Sequence, residues 1–269
     1  MKTLYSINDN YKPDPRSDCL LLEAGNGFLS FGVINTKEKK LFRFEHYIAD
    51  RINEDIFTPC TETHPDWYNT DYAHAFSFFT DKNLLVPSSF YHDGVATAAS
   101  AVYGQKQKQD YINTLKLYNI YCIPEKISNK MMLLPPKAEL WHFFSVCLNK
   151  ASHSTADVFY LEFRSQEFFI TFFSKTGLQL CQSYNYSAPQ DVLYYLLKIC
   201  ECFSVHRAGL NLILSGFIEN KSTIYHELSK YFLNIRFSSL PESVTADPAF
   251  AEYPAHYFSS ICNLATCVS

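Results

Sequence analysis

Glycine is scarce in this chain, 8 of 269 residues, about 3% against an average near 7%. Few segments can therefore lie against a phosphate as a glycine-rich loop does. Neither the GxxxxGK[ST] loop of P-loop nucleotide binding nor the GxSxG elbow of serine hydrolases occurs, which removes the commonest signatures of both chemistries. CxxC and HExxH spacings are also missing, so no zinc site is legible. No run approaches the ~18 apolar residues of a membrane helix, and the first residues lack the apolar core of a signal peptide, so no membrane insertion is expected. Positive charge is not in excess either: 23 basic residues stand against 27 acidic ones. Nothing in the overall field attracts nucleic acid.

What the chain does have is apolar bulk. Hydrophobic residues make up 47%, with 23 phenylalanines and 19 tyrosines, enough for the whole chain to fold. At about 100–200 residues per domain the length suggests two cores. Nine cysteines, several inside apolar runs, read as small buried hydrophobes of a reducing compartment, and the expected location is cytoplasmic.

Residues 1–17 read as a polar N-terminal arm. Three strand-like runs follow at 19–24, 28–34 and 41–48, an antiparallel meander. Thr63-His64-Pro65-Asp66 has the form of a helix start and predicts a helix toward Thr80. Further on, 84–87 reads as a strand, 92–104 as a helix, 114–123 as a strand and 137–150 as a helix. The small, polar stretch 151–155 marks a junction between expected domains 1–150 and 151–269. Strands at 158–164, 167–173 and 178–186 come next. Ser187 and Gln190 at capping-box spacing open a helix whose apolar face includes Val192, Tyr195, Leu196 and Ile199. A strand at 210–214, a helix at 222–233 and a short strand at 235–237 complete a βββαβαβ order. A last helix is expected at 257–264, docking through Phe258, Ile261 and Leu264.

The two halves superpose in sequence without a gap at an offset of 139. Leu22, Glu23, Leu41 and Tyr47 then fall on Leu161, Glu162, Leu180 and Tyr186. Each half begins with three strands and goes on to a helix and a strand, the internal repetition of a duplicated unit.

The stretch Phe159-Tyr-Leu-Glu-Phe-Arg-Ser-Gln-Glu-Phe-Phe, the Asp191-Val-Leu-Tyr-Tyr-Leu-Leu helix, the Leu212-Ile-Leu-Ser-Gly turn and Leu85-Val86-Pro87 resemble an uncharacterised Bacteroidetes family with an actin-like ATPase fold. The resemblance implies an α/β fold of two ribonuclease H-like βββαβαβ domains facing across a cleft. In active members of that superfamily an Asp-x-Gly turn between the first two strands holds magnesium through water and lets backbone N–H groups approach nucleotide phosphates. Here the first turn reads Glu23-Ala24-Gly25-Asn26-Gly27, with glutamate replacing aspartate. The second reads Glu162-Phe163-Arg164-Ser165-Gln166 and has no glycine, although Arg164 could meet an anion. The turn that would face adenosine, Leu214-Ser215-Gly216-Phe217, keeps one glycine of the usual pair.

These substitutions favour a decayed nucleotide site in a non-catalytic protein that binds a protein partner, with no cofactor expected. The alternatives are a Mg-ATP-dependent ATPase or small-molecule kinase using Glu23 and Glu162, and a metabolite binder near Arg164 and Ser215. A cleft filled by Phe163 or Phe217 would favour the scaffold. His64, Asp66, Asp71 and His74 read as a capped helix rather than a metal site.

Overall fold

The computed structural model describes residues 2–25, 27–49, 65, 71–103, 107–123, 125, 138–150 and 156–268. They form two compact units: 1–151 with 241–252 and 261–269, and 152–240 with 253–260. The expected boundary gave all of 151–269 to the second half, whereas two C-terminal pieces pack with the first.

The first unit opens with β1 (Lys2–Ile7), a strand where an irregular arm was expected. It continues with β2 (Asp18–Gly25), β3 (Phe28–Asn35), β4 (Lys40–Ile48) and β5 (Ala73–Phe78). Residues 73–78 are therefore strand, and of the helix expected toward Thr80 positions 63, 64 and 66–70 lie outside the described residues. The end of the expected helix is strand because 73–78 pairs with β2, Cys19↔Ala73 through Ala24↔Phe78. Then come β6 (Asn83–Pro87), α1 (Asp93–Tyr103), β7 (Gln107–Ile112) and β8 (Leu117–Cys122). β7 has no counterpart in the sequence reading: Gln-Lys-Gln-Asp lacks strand-forming residues, and its pairing to β8 decides it. Where 137–150 predicted one helix, β9 (Glu139–His142) precedes α2 (Phe143–Asn149). The break falls at His142, whose Nδ1 accepts the Phe144 N–H at 3.1 Å and caps the helix.

The large sheet has the order β1-β4-β3-β2-β5-β9, and β6-β8-β7 forms a small one. The small sheet is tied in by polar groups. Buried Asp110 of β7 accepts from the Tyr121 hydroxyl and the His142 N–H, each at 2.9 Å. Burial raises the Asp110 carboxyl and pushes the His142 imidazole down to about 4.

The second unit contains β10 (Val158–Phe163), β11 (Glu167–Ser174), β12 (Gly177–Asn185), α3 (Pro189–Cys202), β13 (Asn211–Gly216), α4 (Thr223–Ser229) and β14 (Asn234–Phe237). Its sheet order is β12-β11-β10-β13-β14. β10, β13 and β14 run parallel. β10 and β11 are apolar and buried almost throughout because α3 covers one face with Val192, Leu196 and Ile199. Each such side chain contributes about 1.5–3 kcal/mol. The start of α3 differs in detail from the expected Ser187–Gln190 box. Asp191 supplies the acceptor, its Oδ2 taking the N–H of Ser187 at 2.8 Å and of Ala188 at 3.0 Å. α4 stops at Ser229, short of 233.

Strand β15 (Thr245–Ala246) adds to β4 in the first unit, and α5 (Ser259–Ala265) follows a 3-10 turn at Ala255–Tyr257. Phe258, Ile261 and Leu264 are buried as expected.

The two sheets share one plan. Each places its first three strands antiparallel and its next two parallel, in the order 3-2-1-4-5. Even the irregularities match: a register shift at Val33/Ile34 in the first unit falls at Phe172/Phe173 in the second. The gapless offset holds only as far as this hairpin. Asn35 and Lys40 enclose four residues, Ser174 and Gly177 only two. By pairing, Leu41 corresponds to Leu178 and Tyr47 to Tyr184, not to Leu180 and Tyr186.

Candidate functional site

In the second unit, parallel pairing of β10 with β13 sets Glu162 beside Ser215 and Phe163 beside Gly216. The β10–β11 hairpin closes with the Arg164 N–H on the Glu167 carbonyl at 2.8 Å, leaving Ser165 and Gln166 exposed at the tip. Four of the expected residues thus meet: Glu162, Arg164, Ser215 and Gly216.

Arg164 does not reach outward. Its guanidinium is buried, with Nη1 2.9 Å from Glu162 Oε1 and Nη2 donating to Ser260 Oγ at 3.3 Å. The same group lies 5.6 Å from the centre of the Phe217 ring, a cation–π distance. The Ser215 hydroxyl donates to the other Glu162 oxygen, Oε2. The Tyr186 hydroxyl donates to the Arg164 carbonyl, fixing the backbone as well. A buried charge is stable only when paired and hydrogen-bonded, and Glu162 supplies the guanidinium with a counter-charge at ion-pair distance.

Gly216 is required by geometry. It has φ +75°, and a Cβ on it would stand 2.2 Å from the Phe163 carbonyl oxygen. That close approach lets the chain fold back so that the Phe217 N–H reaches the same carbonyl at 2.9 Å.

The first unit places the corresponding residues alike. Glu23 is buried, paired with Ser30 across β3 and with Ser77 across β5. Ser77 thus stands where Ser215 does, and the Phe79 N–H meets the Ala24 carbonyl at 3.0 Å as that of Phe217 meets Phe163. Gly25 faces Phe28 across the turn, Gly27 has φ +81°, and Asn26 lies outside the described residues. The space beside Gly25 is taken by the Phe28 ring, which would come within 2.1 Å of a Cβ there. Phe28 is itself buried, 5.7 Å from the His46 ring, and His46 Nδ1 is 2.9 Å from Ser30 Oγ.

At the two equivalent turns, then, the Phe28 ring lies over Gly25 in one unit, and Glu162, Arg164 and Phe217 come together in the other. Phe163, one of the two aromatics expected to fill a cleft, belongs to the core of the second unit. Sequence reading missed Phe28, Tyr186 and Ser260. Phe28, an aromatic directly after Gly-Asn-Gly, carried a usable signal; Ser260, distant in sequence, carried none.

His64 and Asp66 lie outside the described residues. Asp71 is exposed, and His74 is buried in β5 with Nδ1 2.9 Å from the Tyr72 carbonyl. No group of three metal-ligating side chains is found among the described residues. Among them, too, no helix is long and apolar enough to cross a membrane. The eight cysteines described form no disulfide with one another.

The family model for proteins of unknown function, DUF3822, matches residues 9–235. The chain belongs to the DUF3822 family. No curated protein matches it. Among solved structures it is similar to a Bacteroides thetaiotaomicron protein with an actin-like ATPase fold and unknown function, at 14% identity and a TM-score of 0.66, over 94% of this chain and 97% of the other. It is also similar to a chain of the PilM-PilN type IV pilus biogenesis complex, at 10% identity and a TM-score of 0.59, over 93% and 98%. The DUF3822 chain has the actin-like ATPase fold, and its two units are the duplicated ribonuclease H-like domains of that fold.

Proposed function

We propose that this DUF3822 protein is a non-catalytic member of the actin-like fold that acts by binding another protein, its nucleotide site having been converted into packing. The observation that carries this reading is Arg164. A residue placed at a phosphate turn to bind an anion would present its guanidinium, whereas here the group is neutralised by Glu162 and stacked on Phe217. Phe28 over Gly25 supports the same reading in the first unit. No cofactor is required. Partner binding also draws support from a structural neighbour that is part of a two-protein complex.

Thermal unfolding of the whole protein with and without millimolar Mg-ATP tests the reading. A ligand at ~100 times its dissociation constant adds about 2.7 kcal/mol to the folded state, a shift of a few degrees at this size. The expected result is no shift. A magnesium-dependent rise would overturn the proposal in favour of a nucleotide-binding enzyme or switch.

A further inference from the structure

The two units treat the outer edge of their third strand differently. Along β4 runs β1, antiparallel, from Lys2↔Ile48 to Ile7↔Phe44. Its counterpart β12 ends its sheet, with no strand beyond it among the described residues. β12 is nine residues long, so a row of N–H and C=O groups points away from β11. Proteins ordinarily guard such an edge with charge, proline or a covering segment. From 176 to 190 the chain has no charged residue, and its first proline is Pro189. Of the other ends of the two large sheets, β14 and β9 are four residues each and carry Arg236 and Glu139, and the six-residue β1 begins with Lys2.

The helix beside this edge is also unfinished. Tyr184 of β12 stacks on Tyr195 of α3, centroids 4.2 Å apart. Tyr194, next to it, is 62% exposed, and Phe203 just past the helix is 39% exposed. Exposed aromatics thus stand on the helix that the Tyr184–Tyr195 stack ties to the open strand.

We propose that β12 is a self-pairing edge, through which two copies of the chain join antiparallel about a two-fold axis into one continuous sheet. The charge pattern selects a second copy over a foreign strand. In antiparallel self-pairing a residue on the two-fold axis faces its own copy and the residues beside it lie diagonal to theirs, so a charge near the centre comes close to a like charge. The uncharged stretch removes that repulsion on both sides at once. A two-fold axis normal to the sheet keeps both α3 helices on one face, where Tyr194 and Phe203 approach the second copy's α3. Pairing about a two-fold axis uses the same edge on both copies and so closes the pair instead of propagating a fibre.

Light scattering after size exclusion, on the whole protein, reads this directly: the expected mass is twice 31.0 kDa. Gln182→Lys, at an exposed position mid-strand, sets two like charges close together and is expected to raise the dimer dissociation constant about tenfold or more. Tyr194→Lys, on the helix surface, is expected to weaken the dimer in the same direction without touching the sheet. Circular dichroism of both variants should match the wild type. A wild-type mass of one chain at roughly 100 μM, aggregates without defined size, or a dimer that neither substitution weakens would each overturn the proposal.

Discussion

The hairpin turns at Gly25–Phe28 and Arg164–Glu167 hold equivalent places in the two units and are closed by opposite chemistry. In the first an aromatic ring lies over a glycine; in the second a glycine position is occupied by arginine, which recruits a carboxylate, a serine and a second aromatic. One turn is filled by apolar volume, the other by a compensated charge pair. What the difference teaches is that the backbone plan survived duplication while the chemistry at its most constrained turn was free to diverge. The fold is recognisable because pairing and register repeat, not because the site does.

The largest expected effect breaks the second turn. Glu162→Ala strips the counter-charge from a buried guanidinium and should cost about 3–5 kcal/mol in urea unfolding. Replacing both partners with apolar residues of similar volume should recover most of it, and a double variant as unstable as the single one would mean that the pair does more than neutralise. Next comes the apolar turn: Phe28→Ala leaves a void over Gly25 and should cost about 3 kcal/mol, with no rescue by charge. Gly216→Ala should cost about 2 kcal/mol, since its φ of +75° strains an L-residue and the added carbon meets a backbone carbonyl. At the equivalent position of the first unit stands Phe78, buried and bulky, so the demand for glycine belongs to the second unit alone.

The smallest effect near neutrality is one of pH. His142 is depressed to about 4 by burial, so between about 4 and 6.5 the unfolded chain binds more protons than the folded one. Stability should therefore fall as pH drops through that window. His142→Asn, which keeps a helix-capping acceptor, should flatten the fall. An unchanged slope would assign acid sensitivity to other groups, among them His256 of the second unit, which burial also lowers. Asp110 acts with the opposite sign, because a raised carboxyl loses stability as pH rises through its folded value.

The strands β2, β3, β10 and β11 were legible because both of their faces are buried and their turn has one length in the two units. Beyond that turn, identity misled: Tyr47 aligns with Tyr186 by counting and with Tyr184 by pairing, since hairpin length leaves no trace in the identities. Strand β5 was hidden because a helix-like start upstream was read as running through it, whereas 73–78 pairs with β2. At the site, Glu162, Arg164 and Gly216 were visible as departures from a pattern. That Arg164 turns inward was not, because it depends on Ser260, which returns to the cluster from 96 residues away.

The path of the C-terminal segment has a consequence for how the protein is made. The first unit reclaims 241–252 and 261–269, and Ile261 packs so close to Gly32 of β3 that a Cβ there would stand 3.3 Å from it. A ribosome that has delivered residues 1–151 has not yet delivered the side chains that finish this core. Domains usually fold as they emerge, N-terminal first; here the core of the half translated first is completed only by 261–269, which are made after the second unit has been translated.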